Sequence, residues 1–231
     1  MNKKINISII GTRGYPYVYS GYENFVKQLS ERLVLKNCNV TVYCHKGLFI
    51  NRPKEIKGIK LVYVPTIETK ILSQPIHSFL SIIHACFSSA DVVLVVNSAN
   101  GPFGLLTKLF KVPTVINVDG LEWLRPKWKG LGSIYFKWAS KMATLFYDQI
   151  INDSNEMRKV YLNLFRTDSK VIAYGANIRK SESPDLINRW NIKQREYFLV
   201  IGRLIPDNNA DLIIKGFLKS NSNKKLVIVG D

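Results

Sequence analysis

Residues 91–118 read DVVLVVNSANGPFGLLTKLFKVPTVINV, and this stretch decides the fold. Asp91–Val96 is a nearly continuous apolar run, Pro102–Phe110 has the length of a short helix, and Thr114–Val118 is a second apolar run. Strands that are apolar on both faces and joined by a helix are typical of a parallel sheet covered on both sides. The stretch therefore predicts one β-α-β unit of a doubly wound α/β domain.

The same alternation of strand and helix patterns continues in both directions from this unit. The further predicted strands are Ile5–Ile10, Val40–Cys44, Leu61–Val64, Gln149–Ile151 and Lys170–Ala173, and the further predicted helices are Ser20–Lys36, Pro75–Phe87, Ser133–Tyr147 and Ser154–Phe165. Phe25, Val26, Leu29 and Leu33 have the spacing of one helical face, which favours an amphipathic first helix. The sequence thus predicts a Rossmann-like parallel sheet over residues 1–177.

The last part of the chain changes character and then repeats the pattern. Residues 178–195 are polar and predict an interdomain linker. Over residues 196–231 we expect a strand at Tyr197–Ile201, a helix at Ala210–Lys219 and a strand at Leu226–Val229. One such unit cannot close a core of its own, so we interpret it as the first βαβ unit of a second, incomplete Rossmann-like domain. The alternative is that its two strands join the first sheet.

Composition limits the class of protein. Of the 231 residues, 46% are hydrophobic and 22% are charged, which is typical of a globular protein. The net charge is +16, which indicates nucleic acid, an anionic membrane or phosphorylated substrates as partners, or only a lysine-rich, soluble surface. The three cysteines match no zinc or redox spacing, so we expect reduced core thiols. Neither a signal peptide nor a membrane span is predicted, which favours the cytoplasm.

Ligands of an open parallel sheet bind beyond the carboxyl ends of its strands, so the loops there carry the candidate residues. The first loop lacks the G-x-G-x-x-G fingerprint of dinucleotide sites, but Gly14 permits a tight turn and close approach to a ligand. Ser20 and Glu23 have capping-box spacing, so Glu23 can be purely structural. In the functional interpretation, the Gly21 amide and the helix N-terminus face an anion such as a diphosphate.

Three further loops hold polar residues with two interpretations each. Asn97 and Asn100 suit substrate hydroxyls, and they suit the start of a helix equally well. Asp119 ends an apolar strand, where a carboxylate is costly unless it is paired or wet, so we favour proton or hydroxyl chemistry. Glu122 is either a helix-start residue or a second active carboxylate. Asp153 either caps the next helix or acts beside Asp119.

The region after the predicted strand Thr114–Val118 mixes cations with aromatic rings and contains no acidic residue between positions 123 and 147. Its members are Trp123, Arg125, Lys127, Trp128, Lys129, Tyr135, Phe136, Lys137, Trp138 and Lys141. Such a mixture favours a bilayer interface, and we predict that Trp123, Arg125, Lys127, Trp128 and Lys129 face the membrane. The alternatives are core aromatics beside exposed lysines, or stacking on single-stranded nucleic acid.

A short motif opens the second domain. Gly202 and Arg203 follow a predicted strand and precede a helix, where a fixed guanidinium can clamp a diphosphate. The three residues Gly202, Arg203 and Leu204 are unspecific on their own.

Taken together, the loop residues resemble the two-domain GT-B glycosyltransferases of family 4, and within them the bacterial rhamnosyltransferases. The matching stretches are GTRGYPYVYSGYENFV at 11–26, NSANGPFG at 97–104, NVDGLEWLRPKW at 117–128, INDS at 151–154, AYGAN at 173–177 and IGRLIPDNN at 201–209. They span the whole chain in order and fall at loop positions.

The resemblance implies roles for individual residues. Gly14 and Gly21 would face the donor diphosphate, and Arg203 would contact it. Asn208 stands where many family 4 enzymes have lysine, as in the rhamnosyltransferase-like group, and would also belong to the donor side. The acidic residues Asp119 and Asp153 would activate the acceptor hydroxyl. The remaining acceptor-side candidates are Glu23, Asn97, Asn100 and Glu122.

The resemblance also implies the reaction. Members of family 4 need no metal or other cofactor, and the implied donor is dTDP-L-rhamnose. The implied acceptor is a saccharide on undecaprenyl pyrophosphate, at the cytoplasmic face of the cell membrane, for a capsule, O-antigen or wall polysaccharide. The carboxylate motif that binds the donor sugar would lie beyond residue 231, so we expect the 231-residue chain alone to be inactive. The alternatives are a family 4 transferase that uses UDP-glucose or UDP-N-acetylglucosamine, and a non-catalytic basic module that binds membrane or nucleic acid.

Overall fold

Residues 3–17, 20–67, 69, 71–178 and 180–230 are described by a computed structural model. Positions 18 and 19 of the first predicted loop lie outside them. The chain divides into two units. The first consists of Met1–Leu124 and Gly130–Tyr174, and the second of Arg125–Lys129 and Gly175–Asp231.

The first unit is built on a sheet of eight strands among the described residues. They are β1 (Asn6–Ile10), β2 (Asn39–His45), β3 (Glu55–Ile56), β4 (Ile59–Val64), β5 (Val92–Val96), β6 (Thr114–Val118), β7 (Gln149–Asn152) and β8 (Lys170–Val171). The strand order is β3-β4-β2-β1-β5-β6-β7-β8, and only β3, which pairs with β4, is antiparallel. The predicted doubly wound parallel sheet is confirmed, while the two-residue β3 at its edge was not predicted.

Helices cover both faces of this sheet. They are α1 (Gly21–Leu35), α2 (Ser73–Cys86), α3 (Gly104–Leu109), α4 (Leu131–Phe146) and α5 (Asn155–Phe165). Successive residues of β1 point to opposite faces, as the pleat requires. Ile9 packs in the cluster that contains Val26 of α1, whereas Ile10 packs in the cluster that contains Ile82 of α2 and Ala143 of α4. The core therefore consists of two apolar layers, with α1 on one side and the later helices on the other.

The topology has a switch point between β1 and β5. The chain runs from β1 outward to β2 and β4, and from β5 outward in the other direction to β6 and β7. The loops after β1 and β5 therefore lead to opposite sides of the sheet. Open α/β sheets bind their ligands at such a switch point. Gly11 begins the first of these loops with a φ of +108°, and a Cβ there would lie 2.4 Å from the carbonyl oxygen of Val96. Only glycine lets the loop cross the end of β5 so closely.

The predicted helix at 102–110 is two elements. A 3-10 helix spans Ser98–Phe103, and α3 follows it directly. The reason is the close approach of α4, because a Cβ on Gly101 would lie 1.9 Å from the carbonyl oxygen of Ala139. The tighter helix places this glycine against α4.

The second unit contains its own two-stranded parallel sheet of β9 (Tyr197–Ile201) and β10 (Lys225–Val229), connected by α6 (Ala210–Lys219). The two strands are therefore not part of the first sheet, which removes that alternative. A 3-10 helix at Pro184–Trp190 lies within the predicted linker. In the described part of the chain, no helix is both long enough and apolar enough to span a bilayer.

The cysteines are unpaired, as expected. Cys44 is buried, and Cys38 and Cys86 are partly buried. Burial raises the pKa of the Cys44 thiol to about 11, so this side chain is a neutral core residue.

Candidate active site

The register of the sheet brings the two predicted aspartates together. Val118, the last residue of β6, pairs with Asn152 of β7. Asp119 and Asp153 follow these paired residues and leave the sheet side by side at its carboxyl edge. Asn152 ties the two strand ends together, because its Nδ2 donates to the carbonyl oxygen of Val118 at 3.1 Å.

Two tyrosine hydroxyls bind the carboxylate of Asp119. Tyr22, in the first turn of α1, donates to Oδ1, and Tyr174 donates to Oδ2 at 3.3 Å. The Tyr174 hydroxyl also lies 2.7 Å from Oδ1 of Asn117, and its ring packs against Phe25 at a centroid distance of 4.8 Å. Asp119 therefore joins the start of α1, the end of β6 and the segment after β8.

The environment of Asp119 raises the pKa of its carboxyl group. Burial is the largest cause, and the negative charges of Asp153 and Glu122 act in the same direction, while the hydroxyls of Tyr22 and Tyr174 oppose them. Burial, followed by the charge of Asp119, in turn raises the pKa of Tyr22 and of Tyr174. The tyrosines are therefore neutral hydrogen-bond donors, and Asp119 is the group that can exchange a proton.

Asp153 has a carboxylate oxygen without a hydrogen-bond donor in the described part of the chain. Its Oδ1 is buried and has no hydrogen-bond partner among the described residues. The neighbouring Ser154, and not Asp153, caps α5, since Ser154 Oγ accepts from the amide of Met157 at 3.3 Å. The interpretation of Asp153 as the helix cap is therefore wrong.

The first loop divides into structural and open residues. Glu23 is 5% exposed and completes a capping box, accepting from the Ser20 amide at 3.0 Å and from the Arg13 amide at 3.3 Å. It holds the loop and is not accessible to an acceptor, which corrects its assignment to the acceptor side. Gly14 is buried against β2, because a Cβ there would lie 2.8 Å from Sγ of Cys44. Gly21, by contrast, has open space around it.

The loop after β5 is also largely structural. Asn100 is 1% exposed, its Nδ2 donates to the carbonyl oxygen of Val96 at 2.7 Å, and its own carbonyl oxygen accepts from the Tyr147 hydroxyl at 2.9 Å. The assignment of Asn100 to the acceptor side is therefore wrong, since its side chain is enclosed. Asn97 caps the following 3-10 helix through the amide of Ala99, at 2.9 Å, and stays partly exposed. The helix-start interpretation therefore holds for Asn97, whereas Asn100 lies inside the 3-10 helix and caps neither it nor α3.

In the second unit, a pocket of about 250 Å³ follows the carboxyl end of β9. Gly202, Arg203, Asn208 and Ala210 are among the residues that line it, so two of the predicted donor-side residues lie together at the start of α6. Nδ2 of Asn208 donates to the carbonyl oxygen of Arg203 at 2.6 Å, which fixes the loop, while the Arg203 side chain is exposed.

The predicted membrane-facing residues do not share one environment. Trp123 is 8% exposed and packs edge-on against Phe165 at 6.2 Å, so its assignment to a bilayer surface is wrong. Arg125 is paired with Asp207 at 3.1 Å within the second unit, and its side chain is 35% exposed. The ammonium of Lys127 lies 5.1 Å from the centre of the Trp128 ring, and Lys129 is exposed.

Sequence reasoning missed Tyr22 and Tyr174, although both fall inside the motif stretches at 11–26 and 173–177. A tyrosine at either position can equally be a packing residue, so its type alone gives no signal. What identifies them is their common partner, Asp119, which only the fold brings within reach. Among the described residues, no group of three or more histidine, cysteine, aspartate or glutamate side chains could hold a metal ion.

A family model described as a domain of unknown function, DUF1972, matches residues 4–177. None of the curated proteins matches the chain in sequence. The family match covers the whole of the eight-stranded sheet and both aspartates.

Solved structures of glycosyltransferases share the fold. Sucrose-phosphate synthase from Thermosynechococcus elongatus superposes with a TM-score of 0.67 and 15% identity, over 99% of this chain and 71% of that chain. HepE from Anabaena, solved with UDP and glucose, gives 0.68 and 14%, over 99% and 61%. UGT89C1 from Arabidopsis thaliana, solved with UDP-L-rhamnose, gives 0.55 and 13%, over 100% and 66%. The fold is therefore the Rossmann-like α/β fold of GT-B glycosyltransferases.

Proposed function

The chain belongs to the DUF1972 family, and from this premise we propose that it is a GT-B glycosyltransferase that transfers a sugar from a nucleotide donor to a hydroxyl of a saccharide acceptor. The observation that carries the proposal is the carboxylate pair at the carboxyl edge of β6 and β7. Asp119, with its raised pKa, accepts the proton of the acceptor hydroxyl as that oxygen bonds to the anomeric carbon and the bond from this carbon to the nucleoside diphosphate breaks. Asp153 lies beside Asp119 at the same edge and helps to orient the acceptor.

On the donor side, the proposal uses groups from both units. In the first unit, Gly21 at the start of α1 has open space around it, which suits an anion at the helix N-terminus. In the second unit, the pocket that Arg203 and Asn208 line suits a phosphate of a nucleotide sugar. Gly14 packs on Cys44 of β2 and so holds the first loop against the sheet.

The finer assignment is to family 4, with dTDP-L-rhamnose as donor and a saccharide on undecaprenyl pyrophosphate as acceptor. It is supported by the six motif stretches, and UGT89C1, which shares the fold, was solved with a rhamnose nucleotide. The enzyme would then work at the cytoplasmic face of the cell membrane, in the synthesis of a surface polysaccharide such as a capsule or O-antigen. A UDP-sugar is the second candidate donor, because HepE, which shares the fold, was solved with UDP and glucose.

The test is a donor panel on the full-length gene product with a lipid-linked saccharide acceptor. We expect transfer from dTDP-L-rhamnose, and a loss of about a hundredfold or more in kcat for Asp119→Asn, because the base is removed while the shape is kept. Transfer from UDP-glucose alone would contradict the rhamnose assignment. Full activity of Asp119→Asn would contradict the role of Asp119, and the absence of any turnover or donor binding would contradict sugar transfer itself.

A further inference from the structure

The outer surface of α4 is apolar along its whole length. Leu131, Ile134, Trp138 and Leu145 are 85%, 65%, 48% and 49% exposed. Their spacings of three, four and seven residues place them on one side of the helix, which we term the α4 stripe. The opposite side of α4 is the one that packs in the core, through Phe136, Ala139, Ser140 and Ala143.

Single exposed apolar side chains occur on other helices of the first unit as well. Phe79 of α2, Leu109 of α3 and Leu162 of α5 are 41%, 69% and 44% exposed. α4 differs in that four such side chains lie on one side of a single helix, and an exposed apolar surface of this extent marks an interaction site.

Positive charges border the α4 stripe, while the 3-10 helix Glu122–Leu124, which contacts α4, brings one carboxylate. Lys137 and Lys141 are exposed on the flank of the stripe, and Lys108 of α3 lies at its far end, where its ammonium donates to the carbonyl oxygen of Leu145 at 2.8 Å. Neither residues 92–118 nor residues 123–147 contain an aspartate or glutamate. Leucine, isoleucine and tryptophan bordered by lysines are the composition that binds the interface of an anionic bilayer.

We propose that the α4 stripe, with Lys137 and Lys141, is the surface by which this protein docks on an anionic phospholipid bilayer. A second copy of the chain fits less well, because a two-fold contact would bring the lysines of both copies together without a carboxylate to neutralise them. The contact residues differ from those that the sequence pattern indicated, since Trp123 is buried and Arg125 is paired.

The stripe also begins at the edge of the sheet that holds Asp119. The first turns of α4 are tied to the loops there, because Ser133 Oγ donates to the carbonyl oxygen of Trp123 at 2.7 Å and the Tyr135 hydroxyl donates to that of Ala99 at 2.9 Å. A bilayer on the stripe would therefore lie beside the carboxyl edge. In the proposed function, a bilayer at this position would present a lipid-linked acceptor to Asp119 and Asp153. Only this step rests on the proposed function.

The experiment is flotation with vesicles of phosphatidylcholine alone and of phosphatidylcholine with phosphatidylglycerol. We expect binding only to the anionic vesicles, and about a tenfold weaker partition for the double variant Lys137→Glu and Lys141→Glu. The matched control is Lys36→Glu with Lys54→Glu, which makes the same change in net charge at exposed positions away from α4. An equal loss in the control, or no binding by the unmodified protein, overturns the proposal.

A second pair of variants tests the apolar part of the surface. Ile134→Ser with Trp138→Ser is expected to weaken binding about tenfold or more, whereas Leu35→Ser with Ile50→Ser, at positions 86% and 98% exposed, leaves it unchanged. Unchanged binding of the first pair overturns the proposal. So does a dimer in sedimentation velocity that the first pair dissociates, because the second copy is then the occupant. Vesicle binding needs no sugar transfer, so the two proposals fail separately.

Discussion

At the scale of single residues, Asp119 combines a raised pKa with hydrogen bonds that limit the rise. Burial penalises its charge, and the hydroxyls of Tyr22 and Tyr174 recover part of that penalty. A carboxyl group in this state is poised to take a proton from a weak acid, yet its ionised form weakens the fold. Function and stability therefore oppose each other at this position.

The first residue-scale prediction concerns stability. A folded-state pKa above the ordinary value means that Asp119 contributes stability below its unfolded pKa of 3.8, which is lost as pH rises through the folded pKa. Asparagine carries no charge at any pH and can accept from Tyr22. In the variant its amide can donate to the Tyr174 oxygen, because the Tyr174 proton can be directed to Asn117 instead. We expect Asp119→Asn to raise the free energy of unfolding at pH 7 by about 1 kcal/mol. Urea unfolding at pH 7 checks this, and a less stable variant contradicts it.

The second residue-scale prediction uses Tyr22→Phe. Its hydroxyl lowers the pKa of Asp119, so its removal should raise that pKa further and move the acid limb of the kcat/KM profile to higher pH. A carbon-13 titration of the Asp119 carboxyl gives the same answer without turnover. The control is Tyr135→Phe, which removes a hydroxyl bound to the carbonyl oxygen of Ala99. A purely structural role for Tyr22 would leave the titration where it was.

At the scale of elements, the packing of α4 depends on a glycine. A Cβ on Gly101 would meet the carbonyl oxygen of Ala139 at 1.9 Å and the amide nitrogen of Ala143 at 2.9 Å, and these backbone atoms of α4 have little room to relax. We expect Gly101→Ala to lower the free energy of unfolding by about 3 kcal/mol. Gly21→Ala is the control, because that site is open and alanine should be neutral or slightly stabilising. Equal effects of the two substitutions in urea unfolding would contradict this account of the packing.

The elements also show what a sequence determines. Apolar runs such as Val92–Val96 predict strands, because a strand that is buried on both faces is apolar at nearly every position. The alternation of these runs with helices predicts the parallel sheet. The proximity of Asp119 and Asp153 follows from neighbouring parallel strands. The position of Tyr174 does not, since it depends on the path of the chain after β8. Likewise, composition cannot tell that Trp123 is buried while Trp138 is exposed.

At the scale of the whole molecule, the first unit carries a buried histidine pair that makes its stability depend on pH. His45 and His77 are 1% and 0% exposed, and their rings stack with centroids 3.9 Å apart. Neither ring nitrogen of His77 has a hydrogen-bond partner among the described residues. Burial first, and the neighbouring His45 second, lower the pKa of His77 from 6.5 to about 3. His77 is therefore neutral in the folded protein at any pH near neutrality.

The sign of the pH dependence follows from this lowered pKa. Below pH 6.5 the unfolded chain binds a proton that the folded chain does not, so stability falls as pH drops from 6.5 towards about 3. The slope from this group is at most about 1.4 kcal/mol per pH unit. His77→Phe keeps a ring against His45 but cannot bind the proton, so the loss of unfolding free energy between pH 7 and pH 4.5 should be smaller than in the unmodified protein. Urea unfolding at the two pH values measures that difference. A packing defect that the substitution causes lowers the unfolding free energy equally at both pH values and therefore cancels. An unchanged difference would mean that other groups cause the acid sensitivity.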